Sequence, residues 1–231
     1  MTDKETKFIK SYVLRTGRMS KHQKTALELY SDKYCVPFDK GILDFEGLFN
    51  NLNPVVLEIG FGMGHATVKI AEKNPDINYI GIEVHTPGIG KVLSEIESRK
   101  LKNLKLIQND AVQIVRFMIK DSSLSGVHVF FPDPWPKKKH HKRRLIQELF
   151  IKELLGKLKE NGYIYIVTDW EDYAEYILTV LKKFKELNNP YTNFADKSDW
   201  RPNTSFEKKG LAKNHIIREI WFEKNRVEVL Q

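Results

Sequence analysis

Residues 55–64 read Val-Val-Leu-Glu-Ile-Gly-Phe-Gly-Met-Gly, and this stretch decides the fold class. The apolar residues 55–57 predict a buried strand, and Gly60, Gly62 and Gly64 predict a turn from that strand into a helix. Glycine adopts positive φ at little steric cost, so the backbone can approach a ligand that the N–H groups of the next helix also face. The stretch therefore predicts a binding site for a nucleotide-like cofactor.

The spacing of the glycines separates this loop from a dinucleotide-binding loop. A G-x-G-x-x-G pattern that starts at Gly60 needs a glycine at position 65, which is His65, so the spacing argues against NAD. The order Glu58-x-Gly60-x-Gly62-x-Gly64 resembles the first motif of class I S-adenosylmethionine-dependent methyltransferases, and this resemblance implies that cofactor. For the loop taken alone, a turn that only packs a strand against a helix remains the alternative.

Strand and helix patterns alternate five times after residue 54. Continuous apolar runs predict strands at 55–60, 78–83, 104–108, 127–131 and 163–168. Amphipathic segments bounded by capping residues, proline or glycine predict helices at 66–73, 86–99, 110–120, 145–159 and 171–186. A last strand is predicted at 216–222. The alternation predicts an α/β fold with a doubly wound, mainly parallel sheet and a ligand beyond the carboxyl ends of its strands.

Composition narrows the class of protein. With 231 residues, 41% of them hydrophobic and 29% charged, the chain is typical of one soluble domain, and no apolar run reaches the roughly 20 residues of a membrane span. We expect a cytoplasmic location, since the chain starts without an apolar signal segment and Cys35 alone can form no internal disulfide. The scattered histidines predict no metal site. No protein partner is evident, which leaves a monomer and a homodimer open.

Two segments carry most of the positive charge. The net charge is +8, yet residues 1–24 hold seven basic residues against two acids, and residues 137–144 hold six basic residues and no acid. Such local charge predicts a polyanionic partner. We interpret residues 1–50 as a basic N-terminal extension that is helical near residues 21–30 and partly disordered at its tip. Residues 51–231 would form the S-adenosylmethionine-dependent methyltransferase domain. For the basic residues 137–144, a solvated helix N-terminus is the alternative. Arg15, Arg18, Lys21 and Lys24 would form a second clamp that orders on the partner.

Five acids follow the predicted strands and should share one rim of the sheet: Glu58, Glu83, Asp110, Asp133 and Asp169. We expect Glu83 to accept the hydroxyls of a ribose, as a carboxylate after the second strand does in dinucleotide folds. Asp110 would accept an adenine amino group, and Glu58 would face the cationic end of the cofactor. Capping of a helix N-terminus is the alternative for Asp110.

Residues 130–137, Phe-Phe-Pro-Asp-Pro-Trp-Pro-Lys, predict a site for a flat substrate. An aromatic ring stacks a base with about 1–3 kcal/mol, and a carboxylate can accept from a guanine N–H edge. Asp133 and Trp135 would together present one base. The alternative is that Trp135 belongs to the core and the prolines only end the strand.

The segments PDPWPKKKHHKRR, LEIGFGMG, IGIEVHTPGI and TSFE together resemble the tRNA (guanine-N7-)-methyltransferase family, over about residues 11–221. The resemblance implies methyl transfer from S-adenosylmethionine to N7 of the guanine at position 46, in the variable loop of tRNA. It implies cofactor contacts by Glu58, Glu83, Asp110 and Asp133, with Asp133 also catalytic. It further implies substrate contacts by Lys137, Asp169, Thr204, Ser205, Phe206 and Glu207, and RNA contacts by Lys139, His140, His141, Lys142, Arg143 and Arg144. A helix capping box is the alternative for Thr204 and Glu207.

The chemistry of this reaction agrees with the residues present. Guanine N7 carries a free lone pair, so transfer needs alignment and exclusion of water but no general base. Asp133 could stabilise the positive charge that develops on the imidazole ring. An RNA methyltransferase acting on an exocyclic amine remains an alternative, as does a tRNA-binding protein without catalysis. A methyltransferase of small molecules would leave the two basic segments unexplained.

Overall fold

The computed structural model describes residues 9–14 and 17–226, and its centre is a seven-stranded sheet. The strands are β1 Val55–Ile59, β2 Asn78–Ile82, β3 Leu104–Ile107, β4 Leu124–Phe130, β5 Leu158–Thr168, β6 Leu187–Asn188 and β7 Arg218–Lys224. Their order is β3-β2-β1-β4-β5-β7-β6. The first five strands in this order are parallel, and β7 runs antiparallel to β5 and β6. The predicted α/β class and the mainly parallel sheet are therefore confirmed.

Helices cover both faces of the sheet. The described helices are α1 Lys21–Tyr34, α2 Phe45–Phe49, α3 His65–Lys73, α4 Thr86–Arg99, α5 Ala111–Phe117, α6 Glu148–Lys157, α7 Glu171–Leu181 and α8 Ser205–Leu211, with a 3-10 helix at Lys138–Arg143. The apolar side chains of α1, α3 and α4 pack on one face, and those of α2, α5, α6 and α7 pack on the other. Every helix within the described residues is too short or too polar to cross a membrane.

Several predicted bounds differ from the structure, among them those of two helices and of β5. The helix predicted at 145–159 is the shorter α6, Glu148–Lys157, since β5 begins at Leu158, which pairs with Leu124 of β4. Asn161, which the sequence predicts to end that helix, lies inside β5 with a φ of 59°. Helix α7 ends at Leu181, five residues before the predicted end, where Phe184 N–H bonds to the Leu181 carbonyl in a tight turn. Tertiary strand pairing decides these ends more than local propensity does.

The described part of the N-terminal extension packs on the sheet domain. Helix α1 begins with a capping box between Ser20 and Gln23, which satisfies two N–H groups at the helix start. The Gln23 side chain also donates to the Pro87 carbonyl at 3.0 Å, and a Cβ on Gly90 of α4 would lie 2.6 Å from the Gln23 carbonyl oxygen. Helices α1 and α4 therefore pack with their backbones in close approach.

Candidate active site

A cleft of about 870 Å³ opens beyond the carboxyl ends of β1, β2 and β4. This volume is within the usual range of about 300–1,000 Å³ for small-molecule sites. The cleft is bounded by the loops after these strands, by α8 and by the N-terminal segment. Its lining includes Ser11, Tyr12, Val13, Glu58, Gly60, Gly62, Gly64, Glu83, Asn109, Phe131, Asp133, Trp135, Phe206 and Lys209.

The glycine loop turns tightly between β1 and α3. Gly60, Gly62 and Gly64 have φ values of 75°, 58° and 67°, a region that side chains with a Cβ seldom adopt. A Cβ on Gly64 would lie 2.0 Å from Val92 of α4, and a Cβ on Gly88 would lie 2.0 Å from the Gly62 carbonyl oxygen. The loop therefore packs closely against α4, and at its three glycine positions it can present only backbone to the cleft.

Glu83 follows β2 and holds the glycine loop to the start of α4. Its Oε2 accepts from the Gly62 N–H at 2.7 Å, and its Oε1 accepts from the N–H groups of Val84 and His85 at 2.7 and 2.9 Å. Each carboxylate oxygen can accept more than one hydrogen bond, so Glu83 keeps capacity for a hydroxyl donor in the cleft. The sequence prediction of a ribose contact did not include this fixing of the loop.

Glu58 is a buried carboxylate with one unpartnered oxygen. Its Oε1 accepts from the Thr67 hydroxyl at 3.0 Å, whereas its buried Oε2 has no hydrogen-bond partner among the described residues. Burial, opposed by the Thr67 hydrogen bond and aided by the nearby charge of Glu83, raises the pKa of Glu58 to about 7. A cation bound in the cleft would compensate for the cost of ionising this group. The site therefore fits a cofactor that carries positive charge, such as a sulfonium.

Asp110 caps α5 and contacts the N-terminal segment. Its Oδ1 accepts from the Val112 N–H at 2.8 Å, so the capping alternative is observed, while its neighbours Asn109 and Ala111 line the cleft. The Asp110 carboxylate also lies close enough to the Tyr12 hydroxyl to affect its pKa. Partial burial, and next the charge of Asp110, raise the pKa of Tyr12. The segment around Tyr12 thus lies across the mouth of the cleft, where sequence patterns predicted only an arm for RNA.

The loop after β4 is held in an unusual backbone conformation. Phe131 and Trp135 have φ values of 54° and 46°, which cost non-glycine residues about 1–3 kcal/mol each. The Trp135 indole N–H donates to the Ser11 carbonyl at 3.0 Å, and the Arg143 guanidinium lies 5.1 Å from the indole ring centroid. The contacts keep Asp133, which is exposed, at the wall of the cleft. Backbone strain of this kind is typical of functional loops.

The basic run after this loop forms the 3-10 helix. Lys137, Lys139 and Lys142 are exposed, and His140, His141 and Arg143 are half-buried. This arrangement leaves a cationic edge beside the cleft.

Arg144 is an exception, because its side chain is bound inside the protein, and its RNA contact stays a prediction. The residue is buried, its Nε donates to the Pro134 carbonyl at 2.9 Å, and it forms an ion pair with Asp172. Its guanidinium also stacks 4.7 Å from the Tyr173 ring centroid. Arg144 therefore fixes the loop after β4 to α7.

The N-terminal clamp is only partly described. Arg18, Lys21 and Lys24 are exposed, and Arg15 lies outside the described residues. A Cβ on Gly17 would lie 2.8 Å from His85 at the start of α4, so this segment passes close to the cleft.

Helix α8 presents an aromatic side chain to the cleft. Thr204 and Glu207 form the capping box that was the alternative prediction. Glu207 is buried against Arg201, with Oε2 at 2.7 Å from Nη1, and its substrate contact stays a prediction. Phe206 is 59% exposed, and its ring centroid lies 6.4 Å from that of Phe131, with the planes at 21°. Ser205 is the first helical residue, and its side chain lies outside the described part.

Comparison with known proteins identifies the family. A family model described as a putative methyltransferase matches residues 52–220. A tRNA (guanine-N(7)-)-methyltransferase of Methylobacillus flagellatus is 48% identical over 94% of this chain and 91% of that protein. The chain belongs to the tRNA (guanine-N7-)-methyltransferase family. A relative of the same name from Nitrosospira multiformis is 46% identical over 94% of this chain and 95% of its own length.

Solved structures with the same fold have much lower sequence identity to this chain. The 16S rRNA methyltransferase KamB superposes with a TM-score of 0.60 at 13% identity, covering 80% of this chain and 95% of that one. The antibiotic-resistance methyltransferase Kmr gives a TM-score of 0.56 at 12% identity, covering 84% and 96%. At these identities the likeness shows the fold alone, and the fold is that of class I methyltransferases.

Asp169 lies beneath α8 and not among the residues that line the described cleft. Its Oδ2 is 3.0 Å from His215 Nδ1, and a Cβ on Gly210 of α8 would lie 2.9 Å from the same oxygen. In this geometry Asp169 makes a docking contact for α8, and its substrate contact stays a prediction.

Sequence patterns missed Tyr12, Arg201 and His215, because an isolated polar residue in a loop carries no periodic signal. The roles of these residues depend on side chains that are close in the folded structure but distant in the sequence.

Proposed function

We propose that this protein transfers the methyl group of S-adenosylmethionine to N7 of the guanine at position 46 of tRNA in the cytosol. The observation that carries the proposal is the cleft itself, which combines the unpartnered buried oxygen of Glu58, a bare glycine loop and exposed aromatic and cationic side chains. The family membership supports the same reaction, since the curated relatives are named for it.

The inner part of the cleft would hold the cofactor. When bound, S-adenosylmethionine supplies an activated methyl group on a positively charged sulfur. The carboxylate of Glu58 would ionise beside this charge, and the carboxylate of Glu83 would accept from a ribose hydroxyl while it keeps the glycine loop in place. Gly60, Gly62 and Gly64 let the backbone approach the cofactor closely. Tyr12 would help to exclude water at the mouth.

The outer part of the cleft would hold the guanine. The exposed ring of Phe206, which faces Phe131, offers a stacking surface, and stacking on an aromatic side chain contributes about 1–3 kcal/mol per base. N7 needs no general base, so the residues contribute alignment and electrostatic stabilisation. Asp133 would stabilise the positive charge that grows on the imidazole ring during transfer.

The cationic edge would bind the tRNA backbone. Exposed lysines of the 3-10 helix, together with Lys137 and Arg18, would neutralise phosphates and release counterions, which makes affinity fall with salt. Their place beside the cleft mouth would guide the variable loop toward the cofactor.

Incubation of unmodified tRNA with the protein and methyl-labelled S-adenosylmethionine tests the proposal. We expect mass spectrometry of the nucleosides to find 7-methylguanosine and no other methylated nucleoside. Label in an exocyclic amine would support the amine methyltransferase instead, and tRNA binding without transfer would support a non-catalytic protein.

A further inference from the structure

Lys209 is a basic residue of α8 that lines the cleft. It lines the same cleft as Asp133 and Trp135, and its side chain is exposed. Its ammonium nitrogen lies 5.8 Å from the ring centroid of Phe206, the aromatic residue one helical turn earlier. The cleft therefore has a cationic side chain on α8 in addition to those of the basic 3-10 helix beside it.

An ion-pair cluster and a close backbone approach hold α8 in place and so fix the backbone that carries Lys209. Before the helix, the buried Arg201 pairs with Glu207 of α8 at 2.7 Å and with Glu219 of β7 at 2.5 Å. At the other end, Gly210 contacts Asp169, which also pairs with His215. A helix anchored to the sheet at both ends presents its exposed side chains from a defined position.

The charge of Lys209 is not neutralised within the described structure. No carboxylate of residues 9–14 or 17–226 lies within ion-pair distance of its ammonium group. Residues 208–213 contain three lysines and no acid. An unpaired cation at the rim of a cleft favours an anionic ligand.

We propose that Lys209 binds a phosphate of the tRNA strand next to the target guanine. The inference rests on the proposed function and adds a contact to it. A base stacked on Phe206 would have its phosphate one ribose away from the ring, and Lys209 is the cation beside that ring. The 3-10 helix and Lys209 would then hold the strand at two separate points.

The neighbouring residue provides a matched control. Lys208 has the same charge and is exposed on the same helix, but it is not among the residues that line the described cleft. We would compare Lys209→Ala with Lys208→Ala and Lys209→Arg by measuring tRNA affinity against salt concentration and S-adenosylmethionine affinity by calorimetry.

We expect Lys209→Ala to weaken tRNA binding about tenfold, which is typical of a lost charged hydrogen bond, and to reduce the salt slope by about 0.7–0.9. Lys208→Ala should change affinity less than twofold, and Lys209→Arg should retain most of it. Equal losses in both alanine variants, or unchanged tRNA affinity, would overturn the inference. A loss confined to cofactor affinity would also overturn it, because Lys209 would then bind the cofactor's carboxylate.

Methyl transfer by the wild-type protein, measured in the same experiments, distinguishes failure of this inference from failure of the proposed function. Transfer to N7 without a specific Lys209 effect defeats only the phosphate contact. A specific Lys209 effect on tRNA binding with no methyl transfer defeats the proposed function and upholds the contact.

Discussion

Replacing Glu58 with Gln should stabilise the cofactor-free protein in a pH-dependent way. Folding raises the pKa of Glu58 from 4.5 to about 7, chiefly by burial. This difference corresponds to about 3 kcal/mol. The stability associated with the neutral carboxyl is fully present below pH 4.5, falls as the pH rises and is lost above pH 7. A neutral Gln avoids that loss, so its advantage should grow between these two pH values.

Chemical denaturation of wild type and variant from pH 5 to pH 9 measures this advantage. Glu28→Gln, at an exposed position of α1, controls for the loss of one carboxylate. With S-adenosylmethionine present, the wild type should become the more stable of the two proteins. The variant lacks the charge that faces the sulfonium, so it binds the cofactor more weakly and gains less stability from it. A stability difference that is the same at every pH would refute the reasoning, and so would unchanged cofactor affinity.

Three further substitutions test other parts of the site. Asp133→Ala should lower kcat by about 10²-fold, which is in the range for the loss of an electrostatic contact to the transition state, and should leave the melting temperature unchanged. Near-normal turnover would remove Asp133 from the mechanism. Gly210→Ala should displace α8 and raise KM for tRNA, because the new Cβ would lie 2.9 Å from Asp169 Oδ2. Gly156→Ala in α6 is the control, since open space surrounds its Cβ. Arg144→Met should lower the free energy of unfolding by about 2 kcal/mol, because it removes buried hydrogen bonds. If the variant instead reduced the dependence of tRNA affinity on salt concentration, this internal role of Arg144 would be contradicted.

The sheet and the cofactor loop could be predicted from the sequence because their signals are local. Strands buried on both faces appear as continuous apolar runs, as in β1, where all five residues are buried. The three glycines require positive φ, which few other residues supply, so their spacing indicates a turn.

The roles of individual polar residues were harder to predict, because their partners are distant in sequence. Arg144 was predicted to contact RNA from its place in a basic run, yet Asp172 and the Pro134 carbonyl bind it inside the protein. Glu207 was expected in the site, and Arg201 holds it in the core. Charge pattern alone does not distinguish an exposed cation from a paired one.

The N-terminal segment shows the same limit. Its charge predicted contacts with RNA, but the Ser11 carbonyl accepts from the Trp135 indole and Tyr12 lies near Asp110. The segment therefore contacts the loop after β4 and lies near the start of α5, which its charge pattern did not predict.

The most direct test of the central claim, methyl transfer to N7 at position 46, uses a tRNA that has 7-deazaguanine at this position. The substitution replaces the proposed acceptor nitrogen with carbon and leaves the base-pairing edge intact. We predict full methylation of the matched guanine-containing tRNA and none of the 7-deaza tRNA, although both bind with similar affinity. Equal methylation of the two tRNAs would contradict the account.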